Sequence, residues 1–131
     1  MKTQIYVNLP VDDLKRSTAF FEKLGFKLNP KFSDNRASCV NLGENMYAML
    51  LVKDFFKTFT AKPVSDATKS TEVLVCLSCE SRAQVDELVM KAIAAGGRAP
   101  REPQDQGFMY GHGFEDPDGH LWELIYMEPG K

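Results

Sequence analysis

The sequence predicts an α+β chain built from two βαβββ modules in tandem, about residues 1–62 and 70–128. Three observations predict it. One element order occurs twice: a strand, a helix stopped by glycine, then three more strands. Two capped amphipathic helices occupy corresponding places in the two halves. Near the end, Asp116-Pro117-Asp118-Gly119 joins the apolar run Leu121–Tyr126, which is turn chemistry followed by strand chemistry.

Taken in order, Ile5–Leu9 reads as a strand that Pro10 closes. Asp12 or Asp13 caps a helix running to Leu24, with an apolar stripe of Leu14, Phe20, Phe21 and Leu24 and a stop at Gly25. Strands follow near Lys27–Asn29, Ser38–Leu42 and Met46–Val52, the last two joined by Gly43-Glu44-Asn45. Phe55–Thr60 predicts a short helix, and the polar stretch 61–70, with Pro63, predicts a loop. The second half opens with a strand over Glu72–Leu77. Ser81 and Gln84 form a capping box ahead of a helix whose inner face is Val85, Leu88, Val89 and Ala92. Gly96-Gly97 ends that helix, and strands are predicted at Arg98–Pro100, Met109–Glu115 and Leu121–Met127, with a frayed tail from Glu128.

Composition excludes several function classes. The chain has 131 residues, a formal net charge of -2, 44% hydrophobic and 26% charged residues, which suits one ordinary globular domain. Basic residues form no stripe, so nucleic acid is not an expected partner. Membrane association is not expected either, since no apolar run is long enough to span a bilayer. The N-terminus leads directly into a strand without a signal-peptide core, so the expected location is cytoplasmic. Three cysteines, Cys39, Cys76 and Cys79, are too few and too uneven for a disulfide framework. Cys76 and Cys79 have redox or zinc spacing, but they fall on a strand and lack a second pair, so they read as small packing residues.

The two modules superpose without gaps at their first strands, Tyr6 on Leu74 and Asn8 on Cys76. At their last strands Leu50 falls on Glu123. Glu123 is the one charge in an apolar strand, and burying it requires a partner or a ligand. The concave faces of two such sheets are the expected place for a site.

The opening strand and helix, Val7-Asn8-Leu9-Pro10-Val11-Asp12-Asp13-Leu14 with Phe20–Phe26, the paired modules and the ending Asp116–Glu123 together resemble the vicinal oxygen chelate superfamily. Its members include glyoxalase I, extradiol dioxygenases and bleomycin-resistance proteins. Met49-Leu50-Leu51, Lys69–Val73, Ala95-Gly96-Gly97 and Gly107–Gly111 look like a bacterial subgroup labelled predicted lactoylglutathione lyase. The resemblance implies the glyoxalase/bleomycin resistance/dihydroxybiphenyl dioxygenase fold, a cupped mixed sheet, and a homodimer. In metal-dependent relatives a divalent cation (Zn, Ni, Mn or Fe) binds residues on the first and last strands of each module. Carried over, those positions are Tyr6, Leu50, Leu74 and Glu123, of which only Glu123 is an ordinary ligand.

A catalytic metal takes three protein ligands, so the expected chain binds none in that orthodox way. Glu72 and His112 are the candidate substitutes for a rebuilt site with Glu123: Glu72 on the face of Leu74, and His112 pointing inward from the strand before the turn. The expected function is therefore a small-molecule pocket walled by Tyr6, Asn8, Leu50, Leu74, Tyr110 and His112, with Glu123 as ligand contact or proton-transfer base. The alternatives are a metal-dependent lactoylglutathione lyase or extradiol dioxygenase, and bleomycin-resistance-type sequestration. Nucleophile elbows and phosphate loops are absent from the sequence.

Overall fold

A computed structural model describes residues 2–129 as two compact units, up to Ser65 and from Asp66 onward. Each unit is a four-stranded mixed sheet carrying one long helix. The first contains β1 (Ile5–Val11), α1 (Leu14–Lys23), β2 (Lys27–Leu28), β3 (Ala37–Gly43), β4 (Met46–Val52) and the one-turn helix α2 (Lys53–Phe56), which tightens into a 3-10 turn over Lys57–Phe59. The second contains β5 (Leu74–Ser78), α3 (Arg82–Ala94), β6 (Gln104–Asp105), β7 (Met109–Glu115) and β8 (Leu121–Met127). Strand order is β1-β4-β3-β2 in one sheet and β5-β8-β7-β6 in the other, with the first and last strands of each module parallel. This is the predicted fold class. Among the described residues, no helix is long and apolar enough to cross a membrane.

Local chemistry explains the element ends. Asp13, not Asp12, caps α1, its Oδ1 accepting from Arg16 N at 3.1 Å, while Asp12 pairs with Lys53 at 2.8 Å. Ser81 accepts from Gln84 N at 3.0 Å, but the Gln84 side chain accepts from Glu80 N rather than closing the box on Ser81. Gly25 and Gly96 take φ of 104° and 110°, the left-handed geometry that ends both helices at glycine. The closing turn forms as read, with Gly119 N donating to Asp116 O at 3.0 Å.

Four elements differ from the sequence reading by two residues or more. β1 continues through Pro10 to Val11, because it is an edge strand bonded only to β4 and the missing N–H costs no ladder bond. β5 begins at Leu74, so Glu72 precedes the strand. The strand expected at Arg98–Pro100 is only a bridge from Arg98 to Glu115, and β6 forms later, after Pro100 and Pro103, which lack donors. The short helix starts at Lys53 instead of Phe55. Part of the expected frayed tail, residues 130–131, lies outside the described residues.

Strand alternation then sorts each sheet into a helix face and an open face. Under α1 lie Leu9, Val11, Val40, Ala48 and Leu50, all buried, and Ser38 meets Thr18 of α1 at 2.7 Å. Under α3 lie Phe114, Trp122 and Leu124, with the Phe114 and Trp122 rings stacked 6.2 Å apart, and Val85, Val89 and Ala92 close over them from the helix. Burying these large apolar side chains on the helix face leaves the opposite face of each sheet to carry other chemistry.

Candidate functional site

Glu123 stands in the middle of β8, between the buried Trp122 and Leu124, so it projects from the open face of the C-terminal sheet. Its neighbours there follow from register: Cys76 on β5 and Gly113 on β7. The residue is half-buried, and among the described residues it makes no hydrogen bond or ion pair. Gly113 explains its conformation. A Cβ at Gly113 would overlap Glu123 Oε2 and come within 2.7 Å of the Trp122 carbonyl, so the carboxylate lies across the bare backbone of β7. Gly111 leaves the next open-face position on β7 equally bare.

Cys76 is exposed as a residue, yet its thiol is pushed up in pKa, first by desolvation and then by the charge of Glu123. Both effects favour the protonated thiol. Cys79 is pushed up in the same way, by desolvation and then by Cys76. It sits just past β5 with its N–H on Ile125 O. These are not activated thiolates, and both cysteines are free.

The structure does not bring Tyr110, His112 and Glu72 to Glu123. Tyr110 and His112 pair with Tyr126 and Leu124, so they share the α3 face of the sheet, on the other side from Glu123. Tyr110 donates its hydroxyl hydrogen bond to Asp86 of α3, which is the first cause of its raised pKa, and its ring lies under Arg82. His112 Nε2 is 2.9 Å from the Arg101 carbonyl. The inward orientation expected of His112 fails because one residue of phase separates it from Gly113, the true neighbour of Glu123. Glu72 is exposed ahead of β5 and shares no strand face with Leu74. No group of three or more His, Cys, Asp or Glu among the described residues is placed to hold a metal ion.

In the N-terminal sheet, Tyr6 and Asn8 do lie on the open face, both exposed, with Tyr6 stacked on Tyr47 at 4.9 Å. Leu50 does not join them. β1 pairs Tyr6 with Tyr47 and Asn8 with Met49, while β5 pairs Leu74 with Leu121 and Cys76 with Glu123. The residue equivalent to Glu123 is therefore Met49, and Leu50 corresponds to Leu124, both fully buried on the helix face. The superposition of Leu50 on Glu123 is one residue out of register, which exchanges the two faces of a strand. Leu74 is on the open face and 55% exposed.

Sequence reasoning missed residues on the open face of each sheet. Beside Glu123 these are Cys76, which the sequence reads as a packing residue, and Gly113, whose signal is a glycine in a strand interior that marks a close approach; in the N-terminal sheet Met49 takes the place expected of Leu50. Substituting Gly113 by Ala is expected to cost about 2 kcal/mol, because a backbone carbonyl cannot yield as a side chain can. Gly111→Ala, whose added Cβ would meet Ile125 and Leu124 at 3.5 Å, is expected to be near neutral. Urea denaturation of the two variants checks this, and equal costs would contradict the geometry.

Comparison with known proteins agrees with this architecture. No curated protein sequence matches. Among solved structures, a hypothetical protein from S. aureus superposes with a TM-score of 0.81 at 29% identity over 96% of this chain and 94% of that one. A glyoxalase/bleomycin resistance protein/dioxygenase family enzyme from Burkholderia phytofirmans gives 0.79 at 17% identity over 96% and 99%. The fosfomycin resistance protein FosX from Listeria monocytogenes gives 0.70 at 20% identity over 100% and 95%. The last two likenesses concern the fold alone. The model of the glyoxalase/bleomycin resistance protein/dioxygenase superfamily matches residues 3–124, nearly the whole chain, and with two βαβββ sheets in place the chain belongs to that superfamily.

Proposed function

We propose that this chain is a small-molecule-binding protein of the superfamily that recognises its ligand through Glu123, without an orthodox metal site. The observation that carries the reading is the state of that carboxylate. It is half-buried on an apolar strand, lies across Gly113, and has no hydrogen-bond or ion-pair partner among the described residues. A carboxylate taken partly out of water without a partner is suited to accept one from a ligand.

The donor set does not fit the divalent cation that the family implies. With the register corrected, the four equivalent positions are Tyr6, Met49, Leu74 and Glu123: a phenol, a thioether, a hydrocarbon and one carboxylate. Within the C-terminal unit, Cys76 is the one donor that register sets beside Glu123, and its thiol is held toward the protonated form. Zinc, nickel, manganese and iron sites ask for three deprotonated or neutral N, O or S ligands. A lactoylglutathione lyase or extradiol dioxygenase activity would need ligands other than these four.

A second reading, a metal-free enzyme with Glu123 as general base, rests on the same open carboxylate. The reading includes a homodimer in the cytoplasm, and sedimentation velocity checks the assembly. Elemental analysis of the purified protein is expected to find Ni, Mn, Fe and Zn well below one per chain. Stoichiometric metal that disappears in Glu123→Ala would overturn the metal-free reading. A thermal-shift screen of small molecules is then expected to raise Tm for wild type and not for Glu123→Gln, since a ligand that favours the native state stabilises it. A panel of hits indifferent to Glu123 would remove the carboxylate from the binding role.

A further inference from the structure

We infer that the open face of the C-terminal sheet selects a ligand with a protonated amine at one end and an apolar body at the other. The inference rests on the binding reading above and adds the chemical class. Charge is its first support. The unit from Asp66 onward holds 12 acidic and six basic residues, a formal charge of −6, whereas the unit up to Ser65 holds six acidic and ten basic, +4. The chain's near-neutral total conceals this division.

Several cations of the acidic unit are already engaged. Arg82 bonds Asp105 at 2.8 Å and Glu128 at 3.3 Å, Lys91 bonds Glu87 at 3.0 Å, and Arg98 bonds Glu115 at 3.2 Å. Glu115 is on the same open face as Glu123 and is matched by Arg98; Glu123 has no ion-pair partner among the described residues. An anionic group brought to this face meets a carboxylate and a negative unit, while an ammonium gains a charge-assisted hydrogen bond and a favourable field.

The second support is the surface beside the carboxylate. Leu74 and Leu121 form one cross-strand pair on this face, and Ile125 follows Glu123 at the next open position of β8. Leu74 is 55% exposed, so apolar area stays available where a ligand body would lie. Gly111 and Gly113 keep β7 free of side chains alongside it. A carboxylate without an ion-pair partner among the described residues, set beside the Cys76 thiol, hydrocarbon side chains and bare backbone, matches a molecule with one donor-bearing charge and an apolar remainder.

The test uses three probes of one shape: phenethylamine, protonated at neutral pH, phenethyl alcohol and phenylacetate. Methyl-labelled protein is titrated with each and followed at Leu74, Leu121 and Ile125. Phenethylamine is expected to shift these methyls with a Kd roughly tenfold below that of phenylacetate, the size of one partly exposed charge contact. The advantage is expected to shrink with added salt and vanish in Glu123→Gln, whose fold is checked by its Tm. Phenylacetate binding as well as the amine, or amine binding unchanged in Glu123→Gln, overturns the charge assignment. In that case a neutral or anionic screening hit that moves the same methyls leaves the binding reading standing. If no compound of any charge moves them, both fall together.

Discussion

Placing a carboxylate at Leu50 is expected to leave no folded protein, whereas Met49→Glu is expected to fold. The two positions are adjacent: the sequence reading takes Leu50 as the N-terminal counterpart of Glu123, and the strand pairing assigns Met49. Leu50 is fully buried beneath α1, between Leu9 and Ser38 of the flanking strands. A charge there loses its water and finds no cation, and the lost packing of Leu adds to the deficit. Together these exceed roughly 4 kcal/mol, a large part of a domain's stability. Met49 is half-buried on the open face, where Glu can reach solvent, so a cost of about 1 kcal/mol is expected. Circular dichroism and urea denaturation of both variants measure the difference. A folded Leu50→Glu with an unfolded Met49→Glu would restore the opposite register.

Asp116→Ala is expected to destabilise the chain by about 3 kcal/mol or more, lowering Tm by roughly 10 °C. Asp116 is only 4% exposed and works as a hub. Its Oδ1 accepts from Asp118 N at 2.9 Å and His120 N at 3.0 Å, and its Oδ2 accepts from Trp122 Nε1 at 3.1 Å. Alanine removes the acceptor of these three hydrogen bonds, and Trp122 is only 1% exposed, so water is a poor replacement at its N–H. Asn replaces one acceptor with a donor facing the indole, so Asp116→Asn is expected to recover only part of the loss.

The pH dependence has a definite sign. Burial pushes the Asp116 carboxyl above the usual range, against the pull of His120 and the Trp122 N–H. A raised folded-state value means its stabilising contribution is complete below the unfolded carboxyl value, near 3.9, and declines as pH rises through the folded value. The destabilisation by Asp116→Ala should therefore be larger in acid than at neutral pH. A cost that grows with pH would show that the hydrogen bonds, not burial, govern this carboxyl.

Much of the fold is legible from local chemistry. Asp13, Ser81, Gly25, Gly96 and the Asp116–Gly119 turn each act within a few residues, and the structure uses each at its expected place. Where local cues depend on neighbours in space, they miss. Pro10 breaks strands in general but not at an edge, and only the sheet order reveals that β1 is an edge. The capping box at Ser81 lacks one arm because the Gln84 side chain accepts from the Glu80 amide instead.

The candidate site was less legible, for a reason that period-two geometry makes plain. A strand's face assignment inverts with a slip of one residue, and sequence similarity between β4 and β8 is too weak to resist one. The backbone pairing with β1 and β5 resists it, because hydrogen bonds hold each residue to one partner. That pairing moved Leu50 into the core, sent His112 and Tyr110 beneath α3, and brought Cys76 and Gly113 to Glu123.

Read alone, the chain's residues settle the order of elements, the tandem modules and the singular charge at Glu123, since these depend on composition, capping and periodicity along the chain. Which side chains stand beside that charge depends on strand register and on which face each helix covers. Those are set by contacts between residues distant in sequence, so they become visible only when the sheets are assembled.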